Sequence, residues 1–312
     1  MPSNTVSYPC YPNSAISISA TLNLPEGFEK SKKYGAIICA HPFGSCKEQV
    51  AGQYGAKLAE LGYVTLVPDA TYQGESGGEP KGMEYAPQRV EDICCAVDYL
   101  VTQDFVDENR IGVLGMCAGG GYASSATMMD RRIKALATIS AINLGRSHRA
   151  GEFDPSQNPI KELESICAQR TAEARGEDFM ICPLLPADRE TLKQRGCDTG
   201  DMADAFDYYN TPRGQHPRSN FKFVYRSWQS LFLFDAFHFA ESLLTQPLLV
   251  IVGTKVGEFG AYRDGYELYG KARSEHKSLH EVQGASHIDL YDQPKPVAEV
   301  IAKLSEFYEK YL

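Results

Sequence analysis

No run of about 18 apolar residues occurs anywhere in the chain, so no helical membrane span is expected. No CxxC pair and no CxxC…HxxxH spacing accompanies the nine cysteines, and nine is an odd number. Both features argue against a disulfide framework and against a structural zinc site. Most of these thiols (Cys10, Cys39, Cys46, Cys94, Cys95, Cys117, Cys167, Cys182 and Cys197) read as small buried hydrophobes in a reducing compartment. No basic cluster offsets the formal net charge of -9, which disfavours nucleic acid and anionic membrane surfaces as partners. The phosphate-cradling patterns GxGxxG and GxxxxGK[ST] are missing. The glycine-rich stretch 72–80, YQGESGGEP, is acidic and reads as a structural turn held by Asp69. Neither a cofactor nor a metal is expected. The N-terminus lacks a charged segment followed by an apolar one, and the C-terminal FYEKYL carries no lipidation or peroxisomal signal. A cytoplasmic location is the corresponding expectation.

What the chain does contain is enough apolar residue, 43%, to bury a sizeable core. Residues 15–24 alternate and are rich in β-branched types, which predicts an early antiparallel strand paired with 6–8. Continuous apolar runs at 34–40, 63–67, 110–115, 133–139 and 247–253 predict strands buried on both faces, with a further strand at 277–282. Between them, 47–61, 87–101 and 294–311 read as helices, the first ending at Gly62. This alternation predicts an α/β fold with a mainly parallel, doubly wound sheet. The segment 145–246 interrupts it. It holds helical stretches at 159–174, 188–195 and 227–244, and many aromatics. It reads as a helical cap inserted into a core formed by 1–144 and 247–312, because the sheet needs strands from both sides; the alternative is an independent second domain.

Gly115-Met116-Cys117-Ala118-Gly119 follows a buried strand and opens a helix, the setting of a nucleophile elbow. Cysteine stands where serine is usual. A thiol at a helix N-terminus is expected to have a lowered pKa and to be a strong nucleophile. His287 follows the last strand and precedes the last helix, the position of the general base in this order of residues. The orienting acid is expected in the loop after 247–253, where Glu258 and Asp264 are both candidates. Asp264 has a competing reading as a helix N-cap, and a Cys–His dyad without an acid is the third option. His41-Pro42-Phe43-Gly44 follows the strand 34–40. The amides of Ala118 and of Phe43 or Gly44 are the expected oxyanion-hole donors, with His41 ordering the loop.

With these motifs in place, the chain resembles the α/β-hydrolase superfamily. More narrowly, it is similar to the dienelactone-hydrolase-related group that includes fungal polyketide transferases and thiohydrolases. The resemblance rests on HPFGSCKEQ (41–49), TYQGESGGEP (71–80), RVEDICCAVDYL (89–100), GMCAGGGY (115–122), DYYNTPRGQHP (207–217), TQPLLVIVG (245–253) and GASHIDLYD (284–292). It implies an acyl hydrolase or acyltransferase with Cys117 as nucleophile, His287 as base, and Ala118 with Phe43 as oxyanion donors. Many of these relatives carry an Asp near position 257, where this chain has Gly257 followed by Glu258.

The expected reaction is therefore acyl transfer or hydrolysis on a thioester or ester, through a covalent acyl-enzyme. The aromatic cap suits a polyketide or fatty acyl group, delivered free or on an acyl carrier or synthase. Two other readings stay open: a small-molecule-binding protein on a hydrolase scaffold, and a hydrolase of small lactones. The sequence leaves the oligomeric state open.

Overall fold

The computed structural model describes residues 3–11, 13, 15–150, 158–219 and 221–312. Strands β1 (Ser3–Pro9) and β2 (Ser17–Asn23) form an antiparallel pair at one edge. The alternating unit follows: β3 (Tyr34–Ala40), α1 (Val50–Glu60), β4 (Val64–Pro68), α2 (Ala86–Val101), β5 (Val106–Met116), α3 (Ala118–Met129) and β6 (Ile133–Ile139). Next come α4 (Leu144–Arg149), α5 (Pro159–Ala174), β7 (Ile181–Pro183), α6 (Arg189–Gln194), α7 (Asp201–Asn210), β8 (Lys222–Val224), α8 (Ser227–Leu233) and α9 (Ala240–Leu243). The chain closes with β9 (Leu248–Gly253), α10 (Ala261–Lys271), β10 (Lys277–Val282), α11 (Asp289–Asp292) and α12 (Pro294–Tyr311).

Eight strands make one sheet in the order β1-β2-β4-β3-β5-β6-β9-β10. Pairing from β4 to β10 is parallel, and only the β1/β2 and β2/β4 pairs are antiparallel. The expected mainly parallel, doubly wound α/β architecture is what forms. The apolar runs do not alternate with polar residues because both faces of each strand are covered. In β3, Ala36 and Ile38 pack with α2 and α3, while Ile37 and Cys39 pack with α1 and α12. Each large aliphatic side chain removed from water here contributes about 1.5–3 kcal/mol.

Strands β6 and β9 lie side by side, Leu136 opposite Leu248, although α4 to α9 separate them in the chain. Among the described residues that intervening segment contributes no strand to the main sheet; β7 and β8 pair with each other. No helix among the described residues is long and apolar enough to cross a membrane.

Two local expectations are corrected. The helix expected from residue 47 begins only at Val50, because Lys47 is turned inward: its amide and ammonium both bond Asp69, at 2.7 and 2.8 Å. The helix expected over 227–244 is broken between α8 and α9. There Asp235 Oδ1 accepts from Phe237 N at 3.1 Å and from Asn143 Nδ2 at 2.6 Å, and Phe239 has a positive φ of 69°. Helices α4, α7 and α10 and the ribbon β7/β8 had no strong sequence signal.

Candidate active site

Cys117 is the single residue between β5 and α3. Its backbone sits at φ 54°, ψ −127°, a conformation that costs about 1–3 kcal/mol and survives only when its surroundings impose it. They do so here. Cys117 N donates to Ile139 O at 3.0 Å, and its carbonyl accepts from Gly120 N and Ile142 N. The turn is tight enough to require glycine on both sides. A Cβ on Gly115 would lie 2.5 Å from Gly119 O, and one on Gly119 would lie 2.4 Å from Ala40 O.

The amides of Ala118 and Phe43 and the hydroxyl of Tyr291 face the Cys117 sulfur and favour its ionised form. Both residues expected to supply oxyanion donors thus stand beside Cys117 in the wall of one pocket. Yet the thiol is not acidic. Burial outweighs the three donors and pushes its pKa up to about 11. The lowered value expected from the helix N-terminus is corrected by the surroundings: the partly buried thiol faces an apolar pocket, where a charge loses its hydration.

The loop that supplies Phe43 is held rigidly. His41 Nδ1 donates to Pro42 O at 2.7 Å, and its Nε2 accepts from Ala70 N at 3.0 Å. Arg89 donates to the His41 carbonyl at 2.6 Å. Burial and the Arg89 charge hold the imidazole uncharged, which suits an ordering role. Beneath the loop, the Lys47 ammonium sits among Glu48, Asp69 and Glu75 at 2.9, 2.8 and 2.6 Å. Those three carboxylates are close enough together to hold a metal ion, but Lys47 occupies their centre. A second group, Cys46, Glu48 and His216, shares Glu48, which also pairs with Arg218 at 2.5 Å.

His287 lies beyond β10 and is 4% exposed. Its Nε2 is 2.9 Å from the Tyr291 hydroxyl, and Tyr291 lines the pocket together with Cys117, so a phenol stands between imidazole and thiol. Burial pushes the imidazole down to about 3. Its Nδ1 is buried without a hydrogen-bond partner among the described residues. Tyr291 is a site residue that sequence reasoning missed. The available signal was its spacing, four residues after His287.

The two candidate acids are placed elsewhere. Glu258 accepts from the amides of Asp201 and Met202 at 3.0 and 2.7 Å, and so caps the start of α7. Asp264 is fully buried in the first turn of α10, whose N-cap is Gly260 rather than Asp264. It pairs with Arg146 at 2.5 Å and accepts from Asn143 N at 2.8 Å. Asp201, which the sequence did not single out, is 2% exposed and accepts from Phe259 N at 3.0 Å. Together with His287 and Gly257 it lines a cavity of about 10 Å³. Burial raises its carboxyl to about 6.

A larger cavity of about 370 Å³ opens over Cys117. Its walls are almost wholly apolar and come largely from the segment between β6 and β9: Leu184, Met202, Phe221, Phe223 and Trp228. His148 lies flat on Trp228, ring centroids 3.7 Å apart. Such a pocket favours an apolar ligand with its polar end at Sγ.

Comparison with known proteins agrees with this architecture. The sequence profile of the dienelactone hydrolase family matches residues 18–161. The Escherichia coli (strain K12) protein YcjY is 40% identical over 100% of both chains. The crystal structure of PA2218 from Pseudomonas aeruginosa superposes with a TM-score of 0.86 at 30% identity, covering 100% of this chain and 94% of that one. The polyketide transferase grgF of Penicillium sp. is 26% identical over 52% of each chain. Its crystal structure, there called an alpha/beta hydrolase, matches with a TM-score of 0.78 over 100% of this chain and 99% of that one, at 16% identity.

Proposed function

The chain belongs to the dienelactone hydrolase family and is an enzyme of the α/β-hydrolase type, and from that premise we propose that it moves an acyl group through a thioester on Cys117. The observation that carries this reading is that Cys117, in a strained strand-to-helix turn, stands with Ala118 and Phe43 in the wall of an apolar pocket. Amides so placed stabilise an oxyanion, each by about 3 kcal/mol.

The proposed step balances as follows. Sγ attacks the carbonyl carbon of an ester or thioester. Its proton passes to the Tyr291 oxygen while the phenol proton moves to His287 Nε2. The carbonyl oxygen takes up the negative charge between the two amides. The intermediate then collapses, the bond to the leaving oxygen or sulfur breaks, and the imidazolium returns its proton to that atom. Water or another nucleophile attacks the acyl-enzyme by the same route in reverse. A thiol that is neutral at rest suits exchange with a thioester, because one carbon–sulfur bond replaces another. The polyketide transferase name of the Penicillium relative supports an acyl group of that class, and the aromatic walls support an apolar chain.

The test is mass spectrometry after incubation with a set of acyl-N-acetylcysteamine thioesters. An acyl adduct mapped to Cys117, absent in Cys117→Ala, is the expected result. No adduct on the wild type, or turnover by Cys117→Ala at the wild-type rate, sinks the proposal.

A further inference from the structure

We propose that Asp201, carried on α7 rather than on the loop after β9, is the positioning residue that orients His287; the inference rests on the acyl-transfer reading above. The loop after β9 is where such an acid is expected, and at Gly257 it has no side chain. The space is not empty. A Cβ built on Gly257 would fall 2.2 Å from Cγ and Oδ2 of Asp201 and 2.3 Å from Oδ1. The Asp201 carboxyl therefore fills the volume in which a side chain from position 257 would begin. Backbone conformation does not demand glycine there, since Gly257 is not among the residues of positive φ. Glycine is required by occupancy alone.

The loop and the helix grip each other. Phe259 N donates to Asp201 Oδ2, and Glu258 returns the contact by accepting the first amides of α7. The cavity of about 10 Å³ lined by Asp201, Gly257 and His287 is wide enough for one water and no more. His287 Nδ1, buried and without a partner among the described residues, is the atom a carboxylate must reach, directly or through that water. Lys255 also lines this cavity. The neighbouring Asp204 is engaged by Ser286 Oγ at 2.8 Å, outside the cavity lining, which leaves Asp201 as the carboxylate lining it.

The required wiring is then continuous. In this arrangement the Nδ1 proton points to Asp201, directly or through that water, which fixes Nε2 as the atom that receives the proton relayed by Tyr291. When Nε2 is protonated, the carboxylate faces an imidazolium and stabilises it.

Four proteins test this with one acyl-N-acetylcysteamine thioester: wild type, D201N, D201A and the double variant D201A/G257D. Asn keeps the acceptor for Phe259 N but loses the charge. D201N is expected to lower kcat by on the order of 10²–10⁴-fold, with KM nearly unchanged. D201A/G257D returns a carboxylate to the same volume from the loop and is expected to recover at least about tenfold over D201A. A D201N enzyme with wild-type kcat overturns the inference. So does a loss in D201A that G257D does not relieve, because Asp201 would then be only a packing residue. If D201N and the wild type acylate Cys117 equally well, only this inference fails. If the wild type forms no Cys117 adduct, the acyl-transfer reading falls and this inference falls with it.

Discussion

The hydroxyl of Tyr291 lies 2.9 Å from Nε2 of His287, and Tyr291 lines the same pocket as Cys117, so a phenol stands between base and thiol. Tyr291 is 1% exposed, and its ring packs edge-on against His287 with centroids 5.4 Å apart. It has little freedom to swing aside. Removing only the oxygen, in Tyr291→Phe, leaves the ring packing intact and breaks the relay. Acylation of Cys117 is expected to slow by on the order of 10²-fold, with the melting temperature nearly unchanged; single-turnover kinetics on a thioester measures it.

The resting thiol should be sluggish toward simple electrophiles. Burial raises Cys117 to about 11 and lowers His287 to about 3, so at pH 7 both are uncharged. A raised thiol pKa means that thiolate appears only as pH climbs. Alkylation of Cys117 by iodoacetamide should therefore be slower at pH 7 than that of a free thiol. It should rise about tenfold per pH unit above 7. A rate that levels off near neutrality would contradict the burial argument.

Lys47 should matter for the oxyanion loop as much as for stability. It is 2% exposed and Asp69 is fully buried, so Lys47→Ala strands a buried carboxylate. The expected cost is about 3–5 kcal/mol, read as a lower urea midpoint. The loop 41–48 carries Phe43, so turnover per folded molecule should fall as well.

Asp264 gives the contrasting case. Its carboxylate joins Arg146 and Asn143 at the start of α4. Asp264→Asn is expected to destabilise by about 3–5 kcal/mol while leaving kcat per folded molecule near wild type. Denaturation curves and a burst titration on the same sample separate the two effects.

Glu258→Gln should act in a milder way. It weakens a charged cap on α7, for a loss of about 1 kcal/mol, and loosens the helix that bears Asp201. A small fall in kcat, well short of that for D201N, is expected in steady-state assays.

The parts of the site that were legible in the sequence are those written locally. A buried strand, two glycines and a small-residue helix specify the turn at Cys117 within a few residues. Phe43 follows a strand whose apolar run is unmistakable, and His287 lies between the last strand and the last helix. The acidity of the thiol was misread because the helix N-terminus is a local feature, whereas burial depends on the whole fold above Sγ. Asp201 was invisible for a related reason. It lies 56 residues before Gly257, and only the return of α7 over the β9 loop brings them together. The one available hint was negative, a glycine in the loop where an acid is expected. The break between α8 and α9 likewise depends on Asn143, far away in sequence.

The notch at Gly257, filled by a residue of α7, ties two properties that protein engineers usually treat as separable. In a scaffold whose charged partner belonged to the sheet, the lid could be exchanged to retune selectivity while turnover survived. Here a chimera that imports residues 145–246 from a relative would bring a new pocket wall and discard the carboxylate in the same stroke. Such a graft would have to restore an acid at 257 before its choice of ligand could be read as activity at all.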